Sequence, residues 1–143
     1  HVIPALIRRF HEAKLASAPG VTVWGSGTPR REFLYSEDMA DACVYLMNLP
    51  DEKFVSLLGQ DRNDGLAPLM NIGVGHDLSI RELAETVKRV VGYQGAIEFD
   101  ASKPDGTPRK LMDVGRLGQA GWRATTPFEA GLRQAYADFL ERA

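Results

Sequence analysis

Apolar and polar positions alternate along this chain at two spacings. Ile3, Leu6, Ile7 and Phe10 fall on one stripe of a helix, with Arg8, Arg9 and Glu12 off it. Pro4 suits the first turn of that helix, and Pro19-Gly20 ends the segment. Val21–Trp24 and Arg31–Tyr35 read as short strands around the loop Gly25-Ser26-Gly27-Thr28-Pro29. Ser36 is the expected cap of a second helix, whose apolar face is Met39, Ala42, Cys43, Leu46 and Met47. Pro50 marks its end, and residues 51–68 read as a long exposed loop. Leu69–Gly73 is a strand candidate.

Ser79 and Glu82 have the spacing of a capping box. Ile80, Leu83, Ala84, Val87 and Val91 give the next helix its buried stripe, and Gly92 stops it. Ala96–Phe99 is another strand. Residues 100–112 form a polar loop, and Asp113 is placed to cap a short helix to Gly118. Thr126, Pro127 and Glu129 start the last helix as a second capping box. Its apolar face is Phe128, Leu132, Ala135, Tyr136, Phe139 and Leu140. Strands alternating with helices predict an α/β arrangement. The strands are few and short, thin for a self-sufficient sheet. The chain also begins at His1 without Met, so it reads as a piece of a longer protein.

Composition narrows the class. The 143 residues carry 17 Lys+Arg and 19 Asp+Glu, and 17 − 19 gives a net charge of −2. That balance argues against a general nucleic-acid binder, which needs a basic excess. One cysteine excludes an internal disulfide framework and fits a reducing cytoplasm. No apolar run approaches the roughly 20 residues that span a bilayer. Cys43 lies on the apolar stripe of its helix and is expected to be a buried thiol. No Cys/His cluster has metal-ligand spacing, so no metal is assigned.

Several residues invite chemistry without deciding it. Gly73-Val74-Gly75 follows a strand and precedes a helix, as a dinucleotide loop does, but Leu78 holds the third glycine position. A tight structural turn is the plainer reading. Gly25–Arg31 lacks the Lys-Ser/Thr ending of a P-loop, although Arg30 and Arg31 suit a bidentate grip on an anion. Trp24, at a strand end, is either core or a stacking surface. Lys103, Asp105, Arg109 and Lys110 in one loop form either a solvated charged loop or a clamp over an anionic, hydroxyl-rich ligand. His1 is a candidate general acid or base, because free imidazole titrates near neutrality, although a terminal histidine is more often uninvolved.

Four segments carry a resemblance: HVIPALIRRFHEAK, VTVWGSGTPRREFLYSEDMADA, NIGVGHDLSIRELAETV and FDASKPDGTPRKLMDVGRL. Together they resemble the extended short-chain dehydrogenase/reductase family, end to end and in the order of its C-terminal part. REFLYSEDMA and NIGVG are shared widely among its nucleotide-sugar epimerases and dehydratases. HVIPALIRRFHEA and DASKPDGTPRK are specific to the branch acting on GDP-4-keto-6-deoxy-D-mannose.

The resemblance implies a single substrate-binding domain over 1–143, with the N-terminal Rossmann half absent. It implies 3,5-epimerisation and 4-keto reduction by the full-length, NADP(H)-dependent enzyme, with the fragment inactive alone. His1 matches the catalytic histidine and an NADP contact. Arg9, Trp24, Arg31 and Asp105 match residues that contact the GDP-sugar. The glycine loop, serine, Tyr-x-x-x-Lys pair and reactive cysteine would lie upstream of His1, and Cys43 is not that cysteine. The 51–68 stretch is longer than usual for the family. A cytoplasmic homodimer is implied for the full enzyme, and a monomer for this piece, with no nucleic acid or membrane partner. Another nucleotide-sugar epimerase or dehydratase of the same family, or a non-catalytic nucleotide-sugar-binding module, are the competing readings.

Overall fold

A computed structural model describes residues 1–58 and 69–142. In chain order the elements are α1 (Val2–Leu15), β1 (Gly20–Trp24), β2 (Arg30–Arg31), α2 (Ser36–Met47), α3 (Asp51–Leu58), β3 (Leu78–Ser79), α4 (Ile80–Val91), β4 (Ala96–Asp100), β5 (Arg109–Lys110), α5 (Gly115–Ala120) and α6 (Phe128–Arg142). Packing groups the described residues into two compact units. One comprises His1–Arg31, Asp77–Lys110 and Pro127–Ala143, and the other Glu32–His76 and Leu111–Thr126.

In the first unit α4 is the central helix, with α1 and α6 packed on it. Its capping box forms as the spacing predicts. The Ser79 hydroxyl accepts the Glu82 N–H at 3.1 Å, and Glu82 Oε2 accepts the Ser79 N–H at 2.6 Å. Leu83, Ala84, Val87 and Val91 are buried along it, against Leu6, Ile7 and Phe10 of α1 and Leu132 of α6. Polar links trim the edges of this core. Lys14 Nζ donates to the Val91 carbonyl at 2.8 Å, and the Tyr93 hydroxyl donates to the Ala18 carbonyl at 2.8 Å.

The strands of this unit form two small sheets. β1 and β4 are parallel, in register from Gly20↔Ala96 to Trp24↔Asp100. β2 lies between β3, antiparallel, and β5, parallel, with Arg30 beside Arg109 and Arg31 beside Lys110. Val21 and Val23 take the inward side of β1. The two-residue period then turns Thr22 and Trp24 outward, and Trp24 is 69% exposed. Of the two readings left open for Trp24, core and stacking surface, the core one fails for that reason. The strand expected over Arg31–Tyr35 shortens to Arg30–Arg31.

The second unit is built on α2, α3 and α5. Ala42, Leu117 and Trp122 are its buried centre, with Leu34, Tyr45, Leu46 and Ile72 packed around them. Trp122 Nε1 donates to Asp41 at 2.7 Å, and the Tyr45 hydroxyl to the Ala120 carbonyl at 2.8 Å. Asp38 is buried and accepts the Thr126 N–H at 3.0 Å and the hydroxyls of Thr125 and Thr126 at 3.3 and 3.1 Å.

Several expectations are corrected here. Cys43 is exposed, as are Met39 and Met47. The apolar arc of α2 is wider than its contact, which centres on Ala42 and Leu46, and Cys43 stands beyond that contact. Residues 51–58 are helical rather than loop, and 59–68 lie outside the described residues. Residues 69–73 form no ladder, because no described strand lies beside them. Side chains link the segment instead: Arg116 donates to the Leu69 carbonyl and Asn71 to the Asp113 carbonyl. Helix α2 is entered through Tyr35 with no side-chain cap, and Ser36 is its first residue. The short helix runs from Gly115 to Ala120 rather than ending at Gly118, with Asp113 accepting the Gly115 N–H at 2.8 Å. The box at Thr126 and Glu129 does not close. Thr126 is taken by Asp38, and Glu129 pairs with Arg89 and Arg133. Among the described residues no helix is long and apolar enough to cross a membrane.

Two outcomes follow. Leu83→Ala removes a fully buried side chain from the middle of α4 and costs about 2–5 kcal/mol, read from the urea midpoint. The single thiol at Cys43 reacts with a colorimetric disulfide reagent in native buffer, and labelling that required denaturant would contradict its exposure.

Candidate functional site

His1, Arg9, Trp24, Arg31 and Asp105 all belong to the first unit. Arg9, exposed on α1, reaches across to β1, where its guanidinium donates to the Thr22 carbonyl at 2.5 Å. Thr22 and Trp24 share the outward side of that strand. Lys103 Nζ stands 5.7 Å from the centroid of the Trp24 ring. This makes an exposed aromatic surface with a cation over the ring.

After Trp24 the chain turns through Gly25 and Gly27, both with positive φ (89° and 81°). Space demands glycine as well. A Cβ at Gly25 would collide with the Asp105 carboxylate, and one at Gly27 would lie 2.5 Å from the Phe99 ring. The Asp105 carboxylate clasps this loop: Oδ1 accepts the Ser26 N–H at 2.6 Å and Oδ2 accepts the Ser26 hydroxyl at 2.8 Å. Arg81 stacks 3.9 Å from the Phe99 centroid and donates to the Ser26 carbonyl at 3.1 Å. Asp105, expected to contact a ligand, is thus engaged with the loop that follows Trp24.

The loop delivers Arg30 and Arg31 onto β2. Arg30 Nε donates to Asp77 Oδ1 at 2.7 Å, and Arg109 Nε to Asp77 Oδ2 at 2.5 Å. Arg30 also donates to the Asp77 carbonyl at 3.0 Å and lies 3.5 Å from Glu82. Hydrogen bonds from Arg109 and then Arg30 hold the Asp77 carboxyl below the usual carboxylate range. The Asp77 hydrogen bond raises Arg30 in turn. Glu82 is lowered mainly by the Ser79 backbone N–H of the capping box.

Arg31 is different. One of its nitrogens donates to the Arg30 carbonyl at 2.7 Å, and another lies 3.9 Å from where a Cβ would stand on Gly106. Among the described residues neither Arg31 nor its register neighbour Lys110 has an acidic partner. The charged loop therefore divides. Asp105 and Arg109 are internal fasteners, and Lys103, Lys110 and Arg31 are unneutralised.

His1 is exposed at the start of α1, and its imidazole makes no hydrogen bond among the described residues. The Gly73–Gly75 loop belongs to the second unit and is already filled. The N–H groups of Val74 and Gly75 both donate to Glu32 Oε1 at 2.7 Å, and the Met112 N–H donates to Oε2 at 3.1 Å. A Cβ on Gly73 would stand 2.6 Å from Glu32 Oε1. The chain's own carboxylate occupies the place a phosphate would need, which supports the structural reading of this turn. Ser26, Asp77 and Glu32 escaped the sequence reading because each acts through partners 32 to 80 positions away.

Residues 1–57 match the model of the NAD dependent epimerase/dehydratase family. GDP-L-fucose synthase of Escherichia coli (strain K12) is 54% identical over 141 residues, 99% of this chain and 42% of that protein. The chain resembles the GDP-L-fucose synthases from end to end. It spans about two-fifths of the length of the curated relatives it matches. Among solved structures, a GDP-6-OMe-4-keto-L-xylo-heptose reductase from C. jejuni superposes with a TM-score of 0.89 at 32% identity. The match covers 99% of this chain and 48% of that one. A GDP-L-fucose synthetase from Naegleria fowleri bound to NADP gives 0.79 at 27% identity, covering 99% and 40%. The α/β fold is thus shared with GDP-sugar enzymes of the extended short-chain dehydrogenase/reductase family.

The Asp77 pair has a pH signature. A lowered folded pKa contributes stability that is complete above the unfolded value, about 3.9 for Asp, and is lost as pH falls through the folded value. The urea midpoint of the wild type exceeds that of Asp77→Asn at pH 7, and the gap narrows below about pH 4. A gap that stayed constant to pH 2 would contradict the pairing.

Proposed function

We propose that residues 1–143 are the substrate-binding, C-terminal part of a cytoplasmic, NADP-dependent GDP-L-fucose synthase, homodimeric as the full protein. The reaction is conversion of GDP-4-keto-6-deoxy-D-mannose to GDP-L-fucose by 3,5-epimerisation and 4-keto reduction. The observation that carries the reading is the unneutralised Arg31–Lys110 pair, joined through the 25–31 and 103–110 loops to the exposed Trp24. Two adjacent cations match the charge of a diphosphate, and guanidinium binds phosphate oxygens in a bidentate way. Trp24 offers a flat apolar face for a base or sugar ring.

In this reading Arg9 and Trp24 flank the sugar nucleotide, and Arg31 takes the diphosphate. Asp105 shapes the loop that presents Trp24 and meets the ligand from its edge. His1 is the acid/base residue, with a contact to NADP(H). A ketone at C4 acidifies the hydrogens at C3 and C5, so an imidazole on one face of the ring can take or give a proton there. Inversion is completed by a second acid/base group on the opposite face, which the resemblance places outside residues 1–143. Holding the substrate by its distant GDP portion lets remote binding energy support each step.

NADP(H) supplies hydride when bound. Among the described residues the glycine turn at Gly73–Gly75 offers no cradle for it, because Glu32 already takes the Val74 and Gly75 N–H groups. Hydride delivery is accordingly assigned to no residue of this chain.

The test is NADPH consumption by the full reading frame supplied with GDP-4-keto-6-deoxymannose, with residues 1–143 alone beside it. Consumption yielding GDP-fucose by the first and none by the second is expected. Trp24→Ala and Arg31→Ala in the full protein raise KM by about 10- to 100-fold. Turnover of a UDP- or dTDP-sugar in place of the GDP-sugar would overturn the reading.

A further inference from the structure

We propose that Asp77 is a positioning residue, the counter-ion that sets the geometry of the Arg31–Lys110 pair; the inference rests on the reading of that pair as a diphosphate site. Its basis is the register of the small sheet. β2 and β5 are each two residues long and run parallel, so Arg30 stands beside Arg109 and Arg31 beside Lys110. Four cations thus occupy two adjacent rungs. Like charges on neighbouring strands repel, and a two-residue ladder has little else to hold it.

Asp77 resolves this on one rung. Its side chain is 5% exposed, and its two oxygens are divided between Arg30 and Arg109 at 2.7 and 2.5 Å. Its own carbonyl takes a further hydrogen bond from Arg30 at 3.0 Å. The carboxylate therefore ties β2 to β5 across the rung where repulsion would part them. Successive residues of a strand face opposite ways, so Arg31 and Lys110 turn away from this carboxylate. One acid both fastens the ribbon and leaves the neighbouring rung unneutralised. The Arg30 N–H, bonded to the Pro108 carbonyl at 2.8 Å, continues the same link into the 105–110 loop.

The sign of the substitution separates positioning from simple charge. By Coulomb attraction alone, removing a negative charge near a diphosphate site would tighten substrate. By positioning, it frees Arg30 against Arg109, displaces Lys110 and weakens substrate.

The experiment measures KM and kcat of the full-length protein with the GDP-sugar for wild type, Asp77→Asn, Asp77→Glu, and Asp77→Asn combined with Arg109→Gln. Hydrogen exchange of residues 105–110 and of the Arg30 amide is followed in parallel. Asp77→Asn is expected to raise KM about 10- to 100-fold, with kcat within about threefold and faster exchange in 105–110. The double variant, with the repulsion removed, recovers part of the loss, and Asp77→Glu recovers part of it as well. A KM for Asp77→Asn that is unchanged or lower, or unaltered exchange in 105–110, overturns the proposal. If Asp77→Asn does not fold, Arg109→Gln substitutes. A raised KM with kcat retained and faster exchange supports the proposal, and an unchanged KM overturns it. Failure of the functional reading is recognised separately, by absent wild-type turnover or by an Arg31→Ala variant with unchanged KM. The exchange data then decide the role of Asp77 in the ribbon alone.

Discussion

A carboxylate shared between Arg30 and Arg109 makes the loop region of the first unit a defined surface. Ladder hydrogen bonds between two-residue strands are too few to hold a register, and the cations on those strands oppose it. Asp77 replaces that repulsion with two charge-assisted hydrogen bonds. The loop after Trp24 and the loop ahead of Lys110 are both anchored to this point. Their geometry therefore depends on one acid that belongs to neither.

The same device recurs through the molecule. Asp105 clasps Ser26, Glu32 gathers the amides of Val74, Gly75 and Met112, and Asp38 gathers Thr125 and Thr126. Each carboxylate satisfies donors that would otherwise stand unpaired in irregular backbone, a need that grows where regular strands are short. A chain with a small acidic excess thus presents a cationic site. Acids serve as loop fasteners, while half-buried Arg31 and exposed Lys103 and Lys110 have no acidic partner among the described residues. The filled turn at Gly73–Gly75 shows the cost of reading a glycine pattern without its neighbours. Its spacing suits a phosphate, yet its donors already have an anion.

Helix α4 was legible because several local signals agree. Its cap, its terminal glycine and its 3.6-residue apolar stripe all lie within the segment itself, and every stripe residue from Leu83 to Val91 is buried. Helix α2 was legible as a helix but not in its burial. Periodicity reports which side is apolar, while contact with α5 and Trp122 decides how much of that side is covered, so Cys43 and Met47 remain outside. The misread segment at Leu69–Gly73 has strand composition, and composition cannot provide a neighbouring strand.

By itself, the sequence determined the alternation of helices with short strands, the capped helix α4 and the set of residues worth watching: His1, Arg9, Trp24, Arg31 and Asp105. The elements follow because capping, turn chemistry and apolar spacing act over a few residues, whereas the five residues follow only from the resemblance of their segments to a known family. Tertiary structure alone decided what those residues touch. The inward valines of β1 turn Trp24 outward, Asp105 closes on Ser26, and Asp77 takes Arg30 and Arg109 while leaving Arg31 without an acid. These outcomes depend on partners tens of positions apart, whose charges meet only when the chain has folded.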